Sequence, residues 1–175
     1  GEAMTVEALV KYDALNSWSR ILDFADGAND DNVFFGNRDT TGTATLATAW
    51  PTTDTARRYI DSSSSSFFET GTWVHVVVTV EGTTMSIYKG GTLENTITDG
   101  QEPASVTRSY HWIGKSTWSS NGYFDGTIAY LRFWHGQALD SNQVSELYAM
   151  ALVPTFLPTL DPSALPTLEP SALPT

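Results

Sequence analysis

Thr72-Trp73-Val74-His75-Val76-Val77-Val78-Thr79-Val80-Glu81-Gly82-Thr83-Thr84-Met85-Ser86-Ile87-Tyr88-Lys89-Gly90-Gly91 is the stretch whose reading decides the fold. Val74, Val76, Val78 and Val80 alternate with Trp73, His75, Val77 and Thr79, the period-2 pattern of a strand. The even positions make an unbroken apolar face. The odd positions are mixed, which predicts a central strand over 73–81 whose second face is partly covered. Gly82 lies in the turn, and 84–89 forms the returning strand.

The same alternation runs through residues 5–12. Val6, Ala8, Val10 and Tyr12 face one way and Thr5, Glu7 and Lys11 the other, with Leu9 as the exception. Further strands are predicted at 20–25, 32–37, 43–50, 56–60, 92–97, 109–114 and 123–134, separated by Gly, Asn, Asp and Ser clusters. Many short strands punctuated this way predict an all-β antiparallel sandwich or jelly roll. One short helix follows. Asp140 can cap it, with Gln143 reaching back, and Leu139 and Val144 can form a hydrophobic staple. Val144, Leu147, Tyr148 and Ala151 share a face, and the helix is expected to plug one end of the sandwich. The run Ser62–Ser66 before Phe67-Phe68 reads as a loop re-entering the core.

The chain has 175 residues, enough for one domain with a sizeable core. Hydrophobic residues make up 41% and aromatic residues 12%, which supports a packed body. The formal net charge of −11 opposes binding to nucleic-acid phosphates. Cysteine is absent, so disulfides, thiolate nucleophiles and Cys-based zinc sites are excluded. No run reaches the roughly 18 apolar residues of a membrane span.

Composition divides the chain into a domain over 1–152 and a Pro/Thr/Ser-rich segment over 153–175. Prolines fall at 154, 158, 162, 166, 170 and 174, and PTLDPSAL at 158–165 recurs as PTLEPSAL at 166–173. Proline at that density blocks helix and sheet, so a polyproline-like linker is expected, reaching about 60 Å at roughly 3.1 Å per residue. Ser and Thr beside Pro fit an O-glycosylated stalk, and an unmodified tether fits equally. Either way the segment suggests a module of a longer, multidomain protein.

Together with Gly122-Tyr123-Phe124-Asp125-Gly126-Thr127-Ile128-Ala129-Tyr130-Leu131-Arg132-Phe133-Trp134 and the following Ala138-Leu139-Asp140, the central strand pair resembles the laminin G-like, concanavalin A-like jelly-roll family. The resemblance covers about residues 3–151. It implies a sandwich used outside cells to bind sugars or proteins, and it implies that Trp73, Trp112 and Trp134 are core residues and His75 is structural. Members usually carry one or two strands ahead of the segment that begins here at Thr5, pairing near the C-terminal strand. Their absence predicts exposed sheet edges. A late cut, a rearranged strand order or a strand donated by another chain would each account for it, and the last would make the protein part of an assembly. The family's closing strand often has an acidic pair where Ala129 and Tyr130 stand here.

Two clusters are candidates for binding. Asp26, Asp30, Asp31 and Asn32 lie in a loop rich in hard oxygen ligands of the kind calcium takes. The resemblance also implies a rim calcium, although Asp and Asn are ordinary turn formers too. Trp18, Trp118, Asn121 and Tyr123 are predicted in loops, where an aromatic face can stack on a pyranose while an amide takes its hydroxyls. Trp50, at a strand end, is a further loop aromatic.

No catalytic signature stands out. His75, His111 and His135 sit in no metal-binding motif, and no Ser lies in G-x-S-x-G. No Glu is followed two residues later by Asp, the pairing that hydrolases of this fold commonly use. The sequence therefore predicts a non-catalytic extracellular or cell-surface recognition module for glycans, with calcium as its candidate cofactor. The alternatives are a structural or adhesion component that contacts cell-surface or matrix proteins or self-assembles through strand edges, and a polysaccharide-degrading enzyme.

Overall fold

The structure is a computed structural model that describes residues 2–28, 31–49 and 57–152. The expected linker over 153–175, Trp50 and Asp30 lie outside the described residues.

Among the described residues, ten strands and one helix follow in order: β1 (Met4–Ala14), β2 (Arg20–Ala25), β3 (Val33–Arg38), β4 (Thr43–Ala49), β5 (Arg58–Asp61), β6 (Trp73–Glu81), β7 (Thr84–Lys89), β8 (Thr92–Ile97), β9 (Tyr110–Ile113), β10 (Asp125–His135) and α1 (Ser141–Leu152). They form two five-stranded sheets, β10-β1-β6-β7-β8 and β5-β4-β3-β2-β9, and every pairing is antiparallel. The all-β sandwich expectation holds.

Side-chain parity decides what lies between the sheets. Met4, Val6, Ala8, Val10 and Tyr12 of β1 and the even valines of β6 face Ile21, Phe35, Leu46 and Ile60 of the second sheet. Phe67 and Phe68 are buried among them, so the serine-rich loop does re-enter the core.

β6 is the middle strand of its sheet, and its odd face is covered as well. Here the helix departs from expectation. It packs on the outer face of the first sheet, where Val144 and Leu147 join Leu139, Val77 and Tyr88 in a second apolar cluster. It does not plug an end. Val77 supplies the reason, because an apolar side chain at an odd position of β6 needs cover on that face. The helix start is as predicted: the Asp140 carboxylate accepts from the Asn142 and Gln143 amides at 2.8 and 2.9 Å, and the Gln143 side chain accepts from the Asp140 amide at 3.0 Å.

Also on that face, Glu7 is fully buried. Its carboxylate pairs with Arg132 Nε at 2.9 Å and His75 Nε2 at 2.9 Å, and accepts from the Tyr130 hydroxyl at 3.1 Å. His75, expected to be structural, is buried in this pairing. Trp73 and Trp112 are not core residues. Trp73 is 47% exposed at an outward position of β6 beside Lys11. Trp112 pairs with Asp23 on the outer face of the second sheet and stacks on Tyr110, with the planes 11° apart. Trp134 is half-buried against the helix cluster.

Candidate functional site

The outer face of the second sheet is rich in aromatic and cationic side chains. In β3, Phe35 points into the core, so Phe34 and Arg38 point out. Arg20, opposite Gly36 in β2, shares that face. The Arg20 carbon Cζ lies 3.7 Å from the centre of the Phe34 ring, 5.1 Å from Trp18 and 5.9 Å from Trp118. Both tryptophans meet Phe34 edge-on, at 6.5 and 6.0 Å. Two residues 100 positions apart in sequence, Trp18 and Trp118, thus flank one guanidinium. Arg38, ion-paired to Asp61, extends the face between Trp18 and Tyr59. Lys115 sits 3.9 Å above Trp112 at the β9 edge.

Asn37 positions the first loop. Fully buried, it donates through Nδ2 to the carbonyls of Asn16 and Asp39, at 3.1 and 2.7 Å, and accepts the Gly42 amide at 2.9 Å. The Trp18 amide donates to the Asp39 carbonyl at 3.0 Å. These bonds hold Trp18 at φ 52°, a left-handed backbone that a bulky residue rarely adopts. Gly36 allows the close approach beneath, because a Cβ there would lie 2.3 Å from the Ser19 carbonyl and 2.8 Å from Arg20 Cα.

Asp23 positions the second loop. Its buried carboxylate accepts the Thr117 amide at 3.0 Å and lies 3.4 Å from both the Ser116 hydroxyl and the Asn32 amide. Burial pushes its pKa upward against these hydrogen bonds and the nearby Arg20 charge. Ser116 Oγ in turn accepts the Trp118 amide at 3.2 Å and Asn121 Nδ2 at 2.9 Å. The two loops meet where the Gly122 amide donates to Ser17 and Asn16 Nδ2 donates to Tyr123.

The structure therefore gathers all four residues expected for sugar contact at one end of this face. Trp118, Asn121 and Tyr123 line a cleft of about 40 Å³ with Lys115, Ser116 and Ser119. Tyr123 is 66% exposed. Trp18 is outside the lining of this cleft, with its ring 5.1 Å from the Arg20 guanidinium carbon. A pyranose is too large to be enclosed there and would lie across the rim. Sequence reading missed Arg20, Phe34, Arg38 and Trp112. Strand parity could have placed Phe34 opposite Phe35, but nothing local foretold a buried arginine.

The residues expected to hold calcium are differently placed. Asn32 is buried with its amide turned to Asp23. The Asp31 carbonyl accepts from Arg108 Nε and Nη2, at 3.2 and 3.0 Å. Asp26 is exposed, and Asp30 lies outside the described residues. Among the described residues no three acidic or histidine side chains converge as a metal-binding group.

The model of the concanavalin A-like lectin/glucanases superfamily matches residues 1–145. The chain belongs to this superfamily. The lectin/glucanase-type sandwich is similar to the carbohydrate-binding module CBM40 of the Ruminococcus gnavus IT-sialidase, solved with α2,3 sialyllactose, at TM-score 0.70 and 13% identity over 84% of this chain and 82% of that one. It is also similar to domain 4 of AbnA, an extracellular GH43 arabinanase from Geobacillus stearothermophilus, solved with arabinotriose, at TM-score 0.62 and 20% identity over 85% and 68%. A SAP-like pentraxin from Limulus polyphemus matches at TM-score 0.60 and 19% identity over 84% and 70%. At these identities the likeness speaks for the fold alone. No curated protein matches the chain in sequence. No helix among the described residues is long and apolar enough to cross a membrane.

Proposed function

We propose that this chain is a non-catalytic extracellular module that binds carbohydrate on the outer face of its second sheet. The observation that carries the reading is the convergence of Trp18 and Trp118 on the Arg20–Phe34 pair, beside the cleft of Asn121 and Tyr123. Aromatic faces can take the C–H side of a sugar, and the Asn121 carbonyl oxygen can take a hydroxyl. The names of two similar structures, a sialidase module with sialyllactose and an arabinanase domain with arabinotriose, support it. The non-catalytic part is supported by the same two neighbours, a carbohydrate-binding module and a separate domain of an arabinanase. A glycan array is the test: binding that is lost in Trp118→Ala supports the site, and the absence of any glycan ligand removes the reading.

Calcium on the 26–32 loop is a separate proposal. An ion there would draw on the carboxylates of Asp26, Asp31 and Asp30, and would have to tolerate Arg108 on the Asp31 carbonyl.

A second reading, self-assembly, is favoured by β10. Among the described strands this 11-residue strand pairs only with β1. Phe133 is 44% exposed on it, and Ile113 is 64% exposed on β9, the edge strand of the other sheet. Unpaired edges are templates for another chain. A concentration-independent monomer mass in light scattering would remove this reading.

A further inference from the structure

Arg20 is more than a packing residue. Its side chain is 2% exposed, and its Nε and Nη1 have no hydrogen-bond partner. Arg38 pairs with Asp61 and Arg132 with Glu7, whereas Arg20 forms no salt bridge among the described residues. Asp23 is near enough to be felt, but its oxygens are taken up by Thr117, Ser116 and Asn32. Burial lowers the Arg20 pKa to about 10, so it remains charged at neutral pH. The rings of Phe34, Trp18 and Trp118 attract the cation without offering an acceptor. A buried charge without a hydrogen-bonding counter-group is costly. A ligand that supplied the missing partner would recover that cost. A second observation points to the same place: Trp18, against this guanidinium, is held at φ 52°, the kind of strain found at ligand clamps.

Resting on the carbohydrate reading, we propose that Arg20 is the receptor for the carboxylate of an acidic saccharide of the uronic or sialic type. Three rings crowd the guanidinium. That enclosure leaves less room for a tetrahedral sulfate or phosphate ester than for a planar carboxylate, which accepts two N–H bonds side by side. The sugar ring lies against Trp118, within reach of Asn121. Because Arg20 is covered in the free protein, Trp118 or Trp18 must swing aside on its loop to admit the carboxylate.

The test is calorimetric titration of the whole chain with uronic- and sialic-acid oligosaccharides, the same oligosaccharides with the carboxyl reduced to an alcohol, and sulfated neutral ones. The acidic forms should bind at least tenfold more tightly than their reduced and sulfated counterparts. In ¹⁵N spectra the Arg20 Nε–H signal should shift only with the acidic forms. Arg20→Lys keeps the charge and loses the fork, and should abolish the preference; wild-type spectra decide the matter if that variant unfolds. Equal affinity for acidic and reduced forms overturns the proposal and leaves carbohydrate binding standing. Failure of all of these glycans, and of neutral ones on the array, removes both.

Discussion

The buried carboxylate of Asp23 accepts the backbone amide of Thr117 at 3.0 Å, although the two residues are 94 positions apart. One carboxyl group on β2 thereby sets the loop that carries Trp118. Burial raises the pKa of Asp23 from its ordinary value of 3.8, so the folded protein holds this proton more tightly than the unfolded chain. The stabilising contribution is complete below the unfolded value and is lost as pH rises through the folded one. Relative to Asp23→Asn, whose side chain never ionises, the wild type should therefore gain stability as pH falls from neutral toward 4. Melting temperatures of both proteins across that range check the sign.

Gly36 should not tolerate a methyl group. The clash would be with the backbone of Ser19 and Arg20, which cannot rotate away. Gly36→Ala is expected to cost about 1–3 kcal/mol by overpacking, and to weaken glycan binding by displacing Arg20. Urea denaturation measures the first effect and calorimetry the second.

Trp118→Ala should lower glycan affinity at least tenfold, a loss of about 1.4 kcal/mol, with little change in melting temperature because the side chain is only half-buried. Trp73→Ala, altering an exposed tryptophan on the other sheet, should leave affinity unchanged. The contrast between the two separates a local site from general aromatic stickiness.

Arg132→Met should destabilise the fold by about 2–3 kcal/mol, because it withdraws the ion-pair partner from a buried carboxylate. Half of the arginine is solvated, which keeps the figure below that of a fully buried pair. Chemical denaturation gives the value directly.

If calcium binds the 26–32 loop, the melting temperature in calcium should exceed that in chelator. Identical values in the two conditions would remove the ion from the account.

Strand positions were legible because parity is a local property. The alternation of Val74, Val76, Val78 and Val80 belongs to one segment, and so does the Asp140–Gln143 cap. The helix location was not legible. An amphipathic helix shows that it has a partner, and only the sheet order shows that Val77 is that partner. Trp112 was misread for a related reason, since an aromatic residue in a strand can face either way and pairing with Asp23 settles which. The four sugar-contact candidates were proposed from loop composition alone, and their closeness to one another is what the structure adds. Arg20 escaped because its surroundings come from β3 and two distant loops, and a buried cation leaves no mark in the residues beside it.

β1 lies between β10 and β6, so the first described strand is hydrogen-bonded to the last described one. During synthesis it must wait, without its neighbour on that side, until residue 135 has left the ribosome. Glu7 must stay hydrated until Arg132 arrives. Such distant pairing makes for slow, late-closing folding, and a nascent chain halted before β10 would expose one long apolar edge to chaperones.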